Sequence, residues 1–396
     1  MVPDSLSALF DLEDQADELL QAEAYEDAIS AAEAALAIDP KSLTALLVCA
    51  QAQNALGRLA DAAGDEGHRQ QTFLAETAYQ PSAPVVLILS STGKGNVPDQ
   101  HLLPRTKYSR IFWFLESLPE HDNDLPAYDI VFNAVGDLDA APEAHALAAG
   151  FAKLCKRPMI NLPDRVGRTS RTGVADLLEG CQTAVIPKVR KIERPSGGWT
   201  PDACGSDLRY PLIARPIGGH GGEGVVLIDR PEQFTSLVPD APVIYATEFV
   251  DYRSPDGWYR KYRAIFIDRK PYPYHLAIGA NWLVHHWTTG MDHDAGRREE
   301  ELRFLDKPRD VLGDKVWATL ESIGATLDLD FAGIDFSILQ DGRLLLFEAN
   351  PTMLVHPEDD QLFSYKNFAV QNIIDAFDRM IARKMGRPPS FQRRQV

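Results

Sequence analysis

The sequence is short of cysteine. Four are spread over 396 residues (Cys49, Cys155, Cys181 and Cys204), and no two form a C-x-x-C pair. That spacing supports neither a zinc knuckle nor a disulfide framework, and it suits a reducing compartment. Long apolar runs are missing as well: none approaches the roughly 18–20 residues that a membrane-spanning helix needs. The opening residues, MVPDSLSALFDLED, lack the basic start of a signal peptide. Basic charge is scarce too, with 40 Lys and Arg against 57 Asp and Glu and a net charge of −17. A sequence-independent grip on nucleic acid or an anionic membrane needs clustered Lys and Arg, so neither partner is expected. These absences predict a soluble, cytoplasmic protein. What is present, 45% hydrophobic and 24% charged residues, is ordinary globular composition with enough chain for two or three domains.

The acidity is concentrated at one end. Residues 1–80 hold 15 acids against Lys41, Arg58 and Arg69, a net of −12, which leaves −5 for the other 316 residues. Residues 4–76 read as helical, rich in Ala, Leu, Glu and Asp. Leu12, Ala16, Leu19, Ala28, Ala32 and Ala35 recur on helical faces before Pro40, and Ala50 and Ala62 repeat the small-residue placement. Small residues at such spacings let helices approach closely. The segment resembles one and a half tetratricopeptide repeats, units of about 34 residues. It predicts an all-α segment over residues 1–78. That segment serves either as a surface for a protein partner or self-association, or as a cap on the next domain.

After YQPSAP, read as a linker, strand-like and helical runs alternate. VVLILSS, YDIVFNAVGD and HALAAGFAKLCKRPMINLP predict a small open α/β domain over residues 84–165. Later strands are read in YPLIARPI, GVVLIDR, VIYATEFV, YRAIFIDRKPYPYHLAI, GIDFSIL and GRLLLFEAN. DAGRREEELRFLDKPRD reads as helical, and an amphipathic helix is predicted over about residues 361–385. Gly219, Gly221 and Gly224 spell a literal G-x-G-x-x-G, the dinucleotide fingerprint. The context refuses that reading, because a Rossmann turn must open a helix and here the strand VVLI follows. Strand, glycine loop and strand instead make a hairpin whose tip can fold over phosphates through backbone N–H groups, with Arg215 adding fixed charge. STGKGN fails the Walker pattern, since no Gly lies five before Gly93 and Gly95 replaces Ser or Thr after Lys94. It is either a loop near the site or a surface turn.

FAGIDFSILQDGRLLLFEANP reads as a hairpin turning at Gln340–Asp341–Gly342. Glu348 and Asn350, two apart on one strand, share a face, and pairing puts Asp335 nearly opposite Glu348. Two acids and an amide inside such apolar runs are costly to bury without a cation. Hard oxygen donors without His or Cys suit Mg²⁺, which shares its shell with water and nucleotide phosphates. An ion-paired set of acids is the other reading.

These pieces in this order resemble the ATP-grasp superfamily, nearest its glutathione synthetase and amino-acid-adding ligase branch, over roughly residues 84–385. The resemblance rests on NLPDRVGRTSRTGVADLLEGCQTAVIPKV, LIARPIGGHGGEGVV, YATEFV, YRKYRAIFI and GIDFSILQDGRLLLFEANP. It implies an α/β (α+β) ATP-grasp fold: a small open pre-grasp domain (84–165), then a grasp domain (166–385) of two subdomains split near 252, with 386–396 as a tail. By matching position, Arg171 and Arg215 would hold the ATP phosphates. Gly218, Gly219, His220, Gly221, Gly222 and Gly224 would form the mobile loop. Thr247, Glu248, Phe249 and Val250 would be the hinge that meets adenine. Arg263 would lie near the acyl group and γ-phosphate and, with Arg215, would be catalytic. Asp335, Glu348 and Asn350 would hold Mg²⁺, Glu348 bridging two ions, with Mn²⁺ able to replace them.

Three departures stand out. Arginines replace both phosphate lysines, which changes reach and geometry. Lys261 stands where an acid usually precedes Arg263, moving ribose recognition to Glu248 or Asp256. NPTMLVHP replaces the glycine-containing tail that commonly borders the acceptor, which points to a substrate unlike glutathione precursors. The implied reaction is carboxylate activation by ATP to an acyl phosphate, which an amine then displaces to give an amide. Its substrates would be small molecules or peptides. An ATP-dependent kinase with the same nucleotide fold and a nucleotide-binding scaffold recruiting a protein are the competing readings. Lys261 and His275 are the substrate-side candidates. His285, His286 and His293 crowd the same stretch beside Trp282 and Trp287, but their spacing matches no transition-metal motif. DGWYRKYR has tandem basic and aromatic residues, which on an acidic chain suit anionic substrate groups better than nucleic acid.

Overall fold

A computed structural model of the chain describes residues 4–39, 42, 44–45, 48–49, 52–53, 56, 73–76, 82–116, 125–201, 203–217, 224–238, 240–284 and 289–387. The architecture is mixed α/β. The chain divides into two compact units, residues 1–93 with 105–129, and residues 94–104 with 130–396. The division falls inside the segment expected to form the small α/β domain. Among the described residues no helix is long and apolar enough to cross a membrane.

The first unit begins with two packed small-residue helices, α1 (Asp4–Gln21) and α2 (Tyr25–Ile38). Ala16, Ala28, Ala32 and Ala35, four of the positions singled out by spacing, are fully buried in one cluster, which Ala45, Val48 and Ala52 join and against which Leu12 and Leu19 pack partly buried. Ala50 and Ala62 lie outside the described residues. The expectation of helix through residue 76 is wrong at its end. Phe73–Glu76 is a strand, β1, paired antiparallel with β3 (Ser109–Phe114), which itself runs parallel to β2 (Val85–Ser90). Four residues are too few to hold a helix on propensity alone, and the backbone groups of β3 offer a ladder to complete.

The second unit opens with β4 (Ile130–Asn133), α3 (Pro142–Leu154) and β5 (Met159–Ile160), with β4 and β5 parallel. α4 (Arg171–Leu177) follows, then β6 (Ala184–Val185) and β7 (Val189–Glu193). Next come β8 (Leu212–Pro216), β9 (Val226–Ile228) and β10 (Val243–Glu248). β11 (Tyr259–Ile267) and β12 (Lys270–Gly279) form a hairpin rather than the single strand read from the sequence. Its turn is Asp268–Arg269, both in the left-handed region. The remaining elements are α5 (Ala295–Asp306), α6 (Pro308–Leu327), β13 (Phe331–Ile338), β14 (Leu344–Asn350) and α7 (Asn367–Lys384).

Two sheets carry the unit, one ordered β7-β10-β8-β9 and one ordered β12-β11-β13-β14-β6. In the larger sheet, period-two alternation turns Tyr262, Ala264, Phe266, Ile334 and Phe336 into one core with Phe304, Leu305, Leu320 and Ile323 of α5 and α6. Lys261, Arg263 and Asp335 occupy the opposite face. On α7, Val370, Ile373, Phe377, Met380 and Ile381 recur at helical spacing and are buried. Phe377 meets the rings of Phe132 and Phe331 edge-on, a burial contributing about 1.5–3 kcal/mol. Buried Asn161, at the end of β5, accepts from the amides of Asp330 and Phe331 and donates to the Phe331 carbonyl. That bond set pins the start of β13, and with it Asp335.

Candidate nucleotide site

Strand register decides where the carboxylates point. From the turn, Ile338 pairs with Leu344, Ser337 with Leu345 and Phe336 with Leu346. Continued evenly, that ladder would set Asp335 against Phe347 and turn Glu348 to the core face. A bulge at Phe347 inserts one residue instead, so Asp335 pairs with Glu348 and Gly333 with Asn350. Both acids therefore reach the face that carries Lys261 and Arg263. Ala349, between Glu348 and Asn350, stays in the core.

Asp335 is 3% exposed. Arg263 grips it with Nε to Oδ1 at 2.6 Å and Nη2 to Oδ2 at 2.9 Å, and Lys261 Nζ lies 3.2 Å from Oδ2. Burial alone would raise this carboxyl, but Arg263 and Lys261 outweigh it and hold it well below the usual carboxylate range. Glu348 is shifted the same way: burial raises it, Arg171 lowers it, the Asp335 charge opposes, and Arg215 adds to the lowering. Arg171 donates to Glu348 Oε2, and Arg215 Nη1 stands 3.9 Å from the same oxygen. Burial, then the like charge of Arg171, brings the Arg215 guanidinium down to about 10.

Local chemistry sets these basic groups. Ser170 caps α4 by accepting from the Gly173 amide at 3.1 Å, which fixes Arg171 as the first residue of the helix. A Cβ on Gly173 would stand 2.7 Å from the Arg168 carbonyl oxygen, so only glycine closes this cap. Arg215 sits on β8 in a cross-strand row with Tyr245 of β10 and Lys191 of β7.

Two cavities meet at these side chains. The larger, about 240 Å³, runs from Phe249, Val250, Tyr252, Trp282 and Val284 to Arg171, Arg215, Lys261, Arg263, Asp335 and Glu348. Its apolar end is built from edge-on aromatic pairs, Phe249 with Trp282 and Tyr252 with Phe347. Thr247 and Glu248 also line it. The Glu248 and Phe249 amides are spent on the Lys188 and Pro211 carbonyls, and Glu248 Oε1 accepts from the Arg209 amide. The smaller cavity, about 90 Å³, shares Arg171, Arg215 and Glu348 and continues to Asp137, Tyr245 and Asn350. An aromatic slot leading to four cations and two carboxylates can take a flat base at one end and an anionic chain at the other.

No protein-family model matches the chain, and no curated protein does. Solved structures give distant likenesses. The chain is similar to a RimK domain protein ATP-grasp from Sphaerobacter thermophilus at 14% identity and a TM-score of 0.42, covering 74% of this chain and 98% of that one. It is similar to D-alanine–D-alanine ligase from Bacillus anthracis at 12% and 0.43, covering 77% and 99%. It is also similar to carboxyaminoimidazole ribonucleotide synthase from Aspergillus clavatus, complexed with ATP, at 12% and 0.41, covering 73% and 77%. Likeness this distant fixes neither family nor activity.

The remaining candidates divide. β8 and β9 pair as the glycine hairpin requires, Leu212 with Ile228 and Ala214 with Val226. Gly218, Gly219, His220, Gly221 and Gly222 lie outside the described residues, whereas Gly224 is described and takes a φ of 64°. Asn350 lines the smaller cavity, its Oδ1 accepting from the Thr352 amide at 2.7 Å and hydroxyl at 2.6 Å. His275, the strand partner of Arg263, lines neither cavity; its Nδ1 meets buried Glu301, which also accepts from the Tyr365 hydroxyl and the Leu276 amide. Asp256, one alternative for ribose recognition, is tied to Arg260. His285 and His286 lie outside the described residues, and His293 closes a short turn beside Asp292. Among the described residues no group of three or more His, Cys, Asp or Glu side chains gathers as a metal site.

Sequence reasoning missed Tyr245, Trp282 and the loop Gly136–Asp139. For the loop a signal existed: it follows the carboxyl end of a parallel strand, where open α/β sheets bind ligands. For Tyr245 it was alternation with Thr247 on β10.

Proposed function

We propose that this protein is an ATP-grasp enzyme of the carboxylate–amine ligase kind, with an ATP-grasp domain over residues 166–385 and a pre-grasp domain before it. The observation that carries the reading is the larger cavity, in which an aromatic end and a cluster of Arg171, Arg215, Lys261 and Arg263 flank two carboxylates on adjacent strands. Phe249, Val250 and Trp282 would hold adenine. Arg171 and Arg215 would take the phosphates by charge-assisted hydrogen bonds, and Arg263 would steady the γ-phosphoryl group as charge builds on it.

The donor set fits a hard divalent cation at Asp335 and Glu348, whose oxygens now satisfy basic side chains. Asn350 joins by exchanging the bond from the Thr352 hydroxyl. Mg²⁺, or Mn²⁺, held there supplies Lewis-acid neutralisation of phosphate charge when bound. In the reaction, a substrate carboxylate oxygen attacks the γ-phosphorus and ADP leaves with the bonding electrons. An amine then attacks the acyl carbon of the acyl phosphate. Inorganic phosphate departs, and the amine gives up its proton. No side-chain nucleophile is required. Residues 1–78, helical at their start, would supply a docking surface or a cap.

The test is ADP release by the full chain with ATP and Mg²⁺ across paired carboxylates and amines, with hydroxylamine as trap. A ligase yields a hydroxamate. ADP release without one would point to a hydroxyl acceptor, and no ADP release with any pair would refute the enzymatic reading.

A further inference from the structure

The chain turns sharply after β14 and crosses the sheet. Asn350 Oδ1 accepts from the Thr352 amide and hydroxyl, and residues 353–359 then run without regular secondary structure. They pass over the face that carries Asp335. A Cβ on Gly333, two residues before Asp335 on β13, would stand 2.5 Å from Met353 Sδ, so the Met353 side chain lies directly on that glycine. The His356 amide then donates to the Tyr274 hydroxyl of β12, at 3.5 Å. Tyr274 is the residue that a bulge inserts between the pairs Arg263–His275 and Ala264–Pro273, and the Arg263 charge acts on its phenol. This strap, where the sequence departs from the ligase pattern, therefore runs from β14 over β13 to β12. It brings His356 to the tyrosine beside Arg263.

His356 is anchored on both sides. Before it, Met353 and Val355 are buried. After it, Asn367 bonds the Glu358 amide and carbonyl at 2.7 and 3.0 Å, and buried Lys366 holds the Glu358 carboxylate at 2.7 Å. The His356 ring is half-buried, with Nδ1 at 2.9 Å from the Pro357 carbonyl oxygen. A carbonyl only accepts, so Nδ1 carries the proton and Nε2 the lone pair of the neutral imidazole. Nε2 meets no hydrogen-bond partner among the described residues. Residues 94–104 of the same unit bring a second imidazole within range. Burial, then the like charge of His356, lowers His101, and Asp359 opposes.

An alkyl amine is an ammonium ion at neutral pH and has no lone pair with which to attack an acyl phosphate. Two protons must leave its nitrogen before an amide is formed, and the first must go before attack. A side chain for that task takes up and gives back a proton near neutral pH, the ordinary property of imidazole. We propose that His356 Nε2 accepts the first proton from the attacking ammonium group and is the general base of the amide-forming step. The assignment rests on the ligase reading above. The freed electron pair on nitrogen forms the bond to the acyl carbon. The bond from that carbon to the phosphate oxygen breaks, its electrons staying with phosphate, which departs with the second proton. The imidazolium then returns its proton to water.

Hydroxylamine isolates this step, because it is uncharged at neutral pH and attacks without first losing a proton. His356→Asn keeps a side-chain N–H for the Pro357 carbonyl and removes Nε2. In the full chain, with the carboxylate and amine that release most ADP, amide formation by this variant is expected to fall about 100-fold, while hydroxamate formation stays within about twofold of wild type. Raising the pH should restore the variant's amide formation, as solvent takes the proton. Long-range proton–nitrogen NMR correlation of the histidine rings, with the variant assigning the signal, is expected to show Nδ1–H at His356 in the protein alone. An Nε2–H tautomer, unchanged amide formation in the variant, or equal loss of amide and hydroxamate would each overturn the proposal. Wild type that yields neither ADP nor hydroxamate with any pair would instead sink the ligase reading, and the general base with it.

Discussion

The two sheets of the second unit hold their charged residues in different ways. In the five-stranded sheet, Asp335 is gripped by two hydrogen bonds from Arg263 and by a second cation, Lys261, over a core of aromatic residues and helices. In the four-stranded sheet, Arg215 sits in a cross-strand row, Lys191–Tyr245–Arg215, whose first two members are tied to Asp139. The first arrangement is sealed and short-ranged. The second depends on a single carboxylate from a loop. One sheet is a fixed template for carboxylates, and the other carries the glycine hairpin and a cation that partners must hold in place.

Four changes would break or sharpen this contrast. The largest effect is expected from Glu348→Gln, which removes a template charge: ADP release should fall by about 10²–10³ while the thermal midpoint moves little. Normal turnover in that variant would refute the site assignment. Next is Glu301→Gln, a buried residue of α5 bonded to His275 and Leu276 of β12. Burial raises the Glu301 carboxyl, but His275, Lys366 and the Tyr365 hydroxyl outweigh it and bring it down to about 2 from an ordinary 4.5. A lowered carboxyl stabilises the fold fully above its unfolded value, and the contribution is lost as pH falls from about 4.5 towards 2. The variant should lose about 2–3 kcal/mol at neutral pH in denaturant titrations and show a flatter acid limb.

The four-stranded sheet should respond more mildly. Arg215→Ala is expected to weaken nucleotide binding about tenfold, because Arg171 remains; calorimetry with AMP-PNP decides it. Tyr245→Phe should be the smallest, about threefold in the same measurement, since Lys191 still holds Asp139. A loss as large as that of Arg215→Ala would mean that the row, and not the guanidinium alone, carries the phosphate contact.

Periodicity and residue type, both local properties, made most strands of the second unit legible. Runs such as YATEFV and FAGIDFSIL read as buried strands, and VVLI after the glycines ruled out a Rossmann turn. The strand at Phe73–Glu76 was hidden because its residues favour helix and only pairing with β3 makes them extended. The hairpin turn at Asp268–Arg269 was hidden because neither residue announces a left-handed backbone.

The candidate site divides along the same line. Asp335, Glu348 and Arg215 were readable by themselves, as charged residues inside or beside apolar runs, whereas Arg171 and Arg263 were nominated only through the family resemblance. Their partners were not readable. Whether Glu348 faces Asp335 turns on one inserted residue at Phe347, and a shift of one residue reverses every side chain on a strand. That Asp139 is neutralised depends on contacts 52 and 106 residues away along the chain. Sequence determines which groups must find a counter-charge, because desolvation is a property of the residue and its neighbours. Only tertiary structure decides which counter-charge they find, because that is set by bulges, caps and close approaches between distant segments.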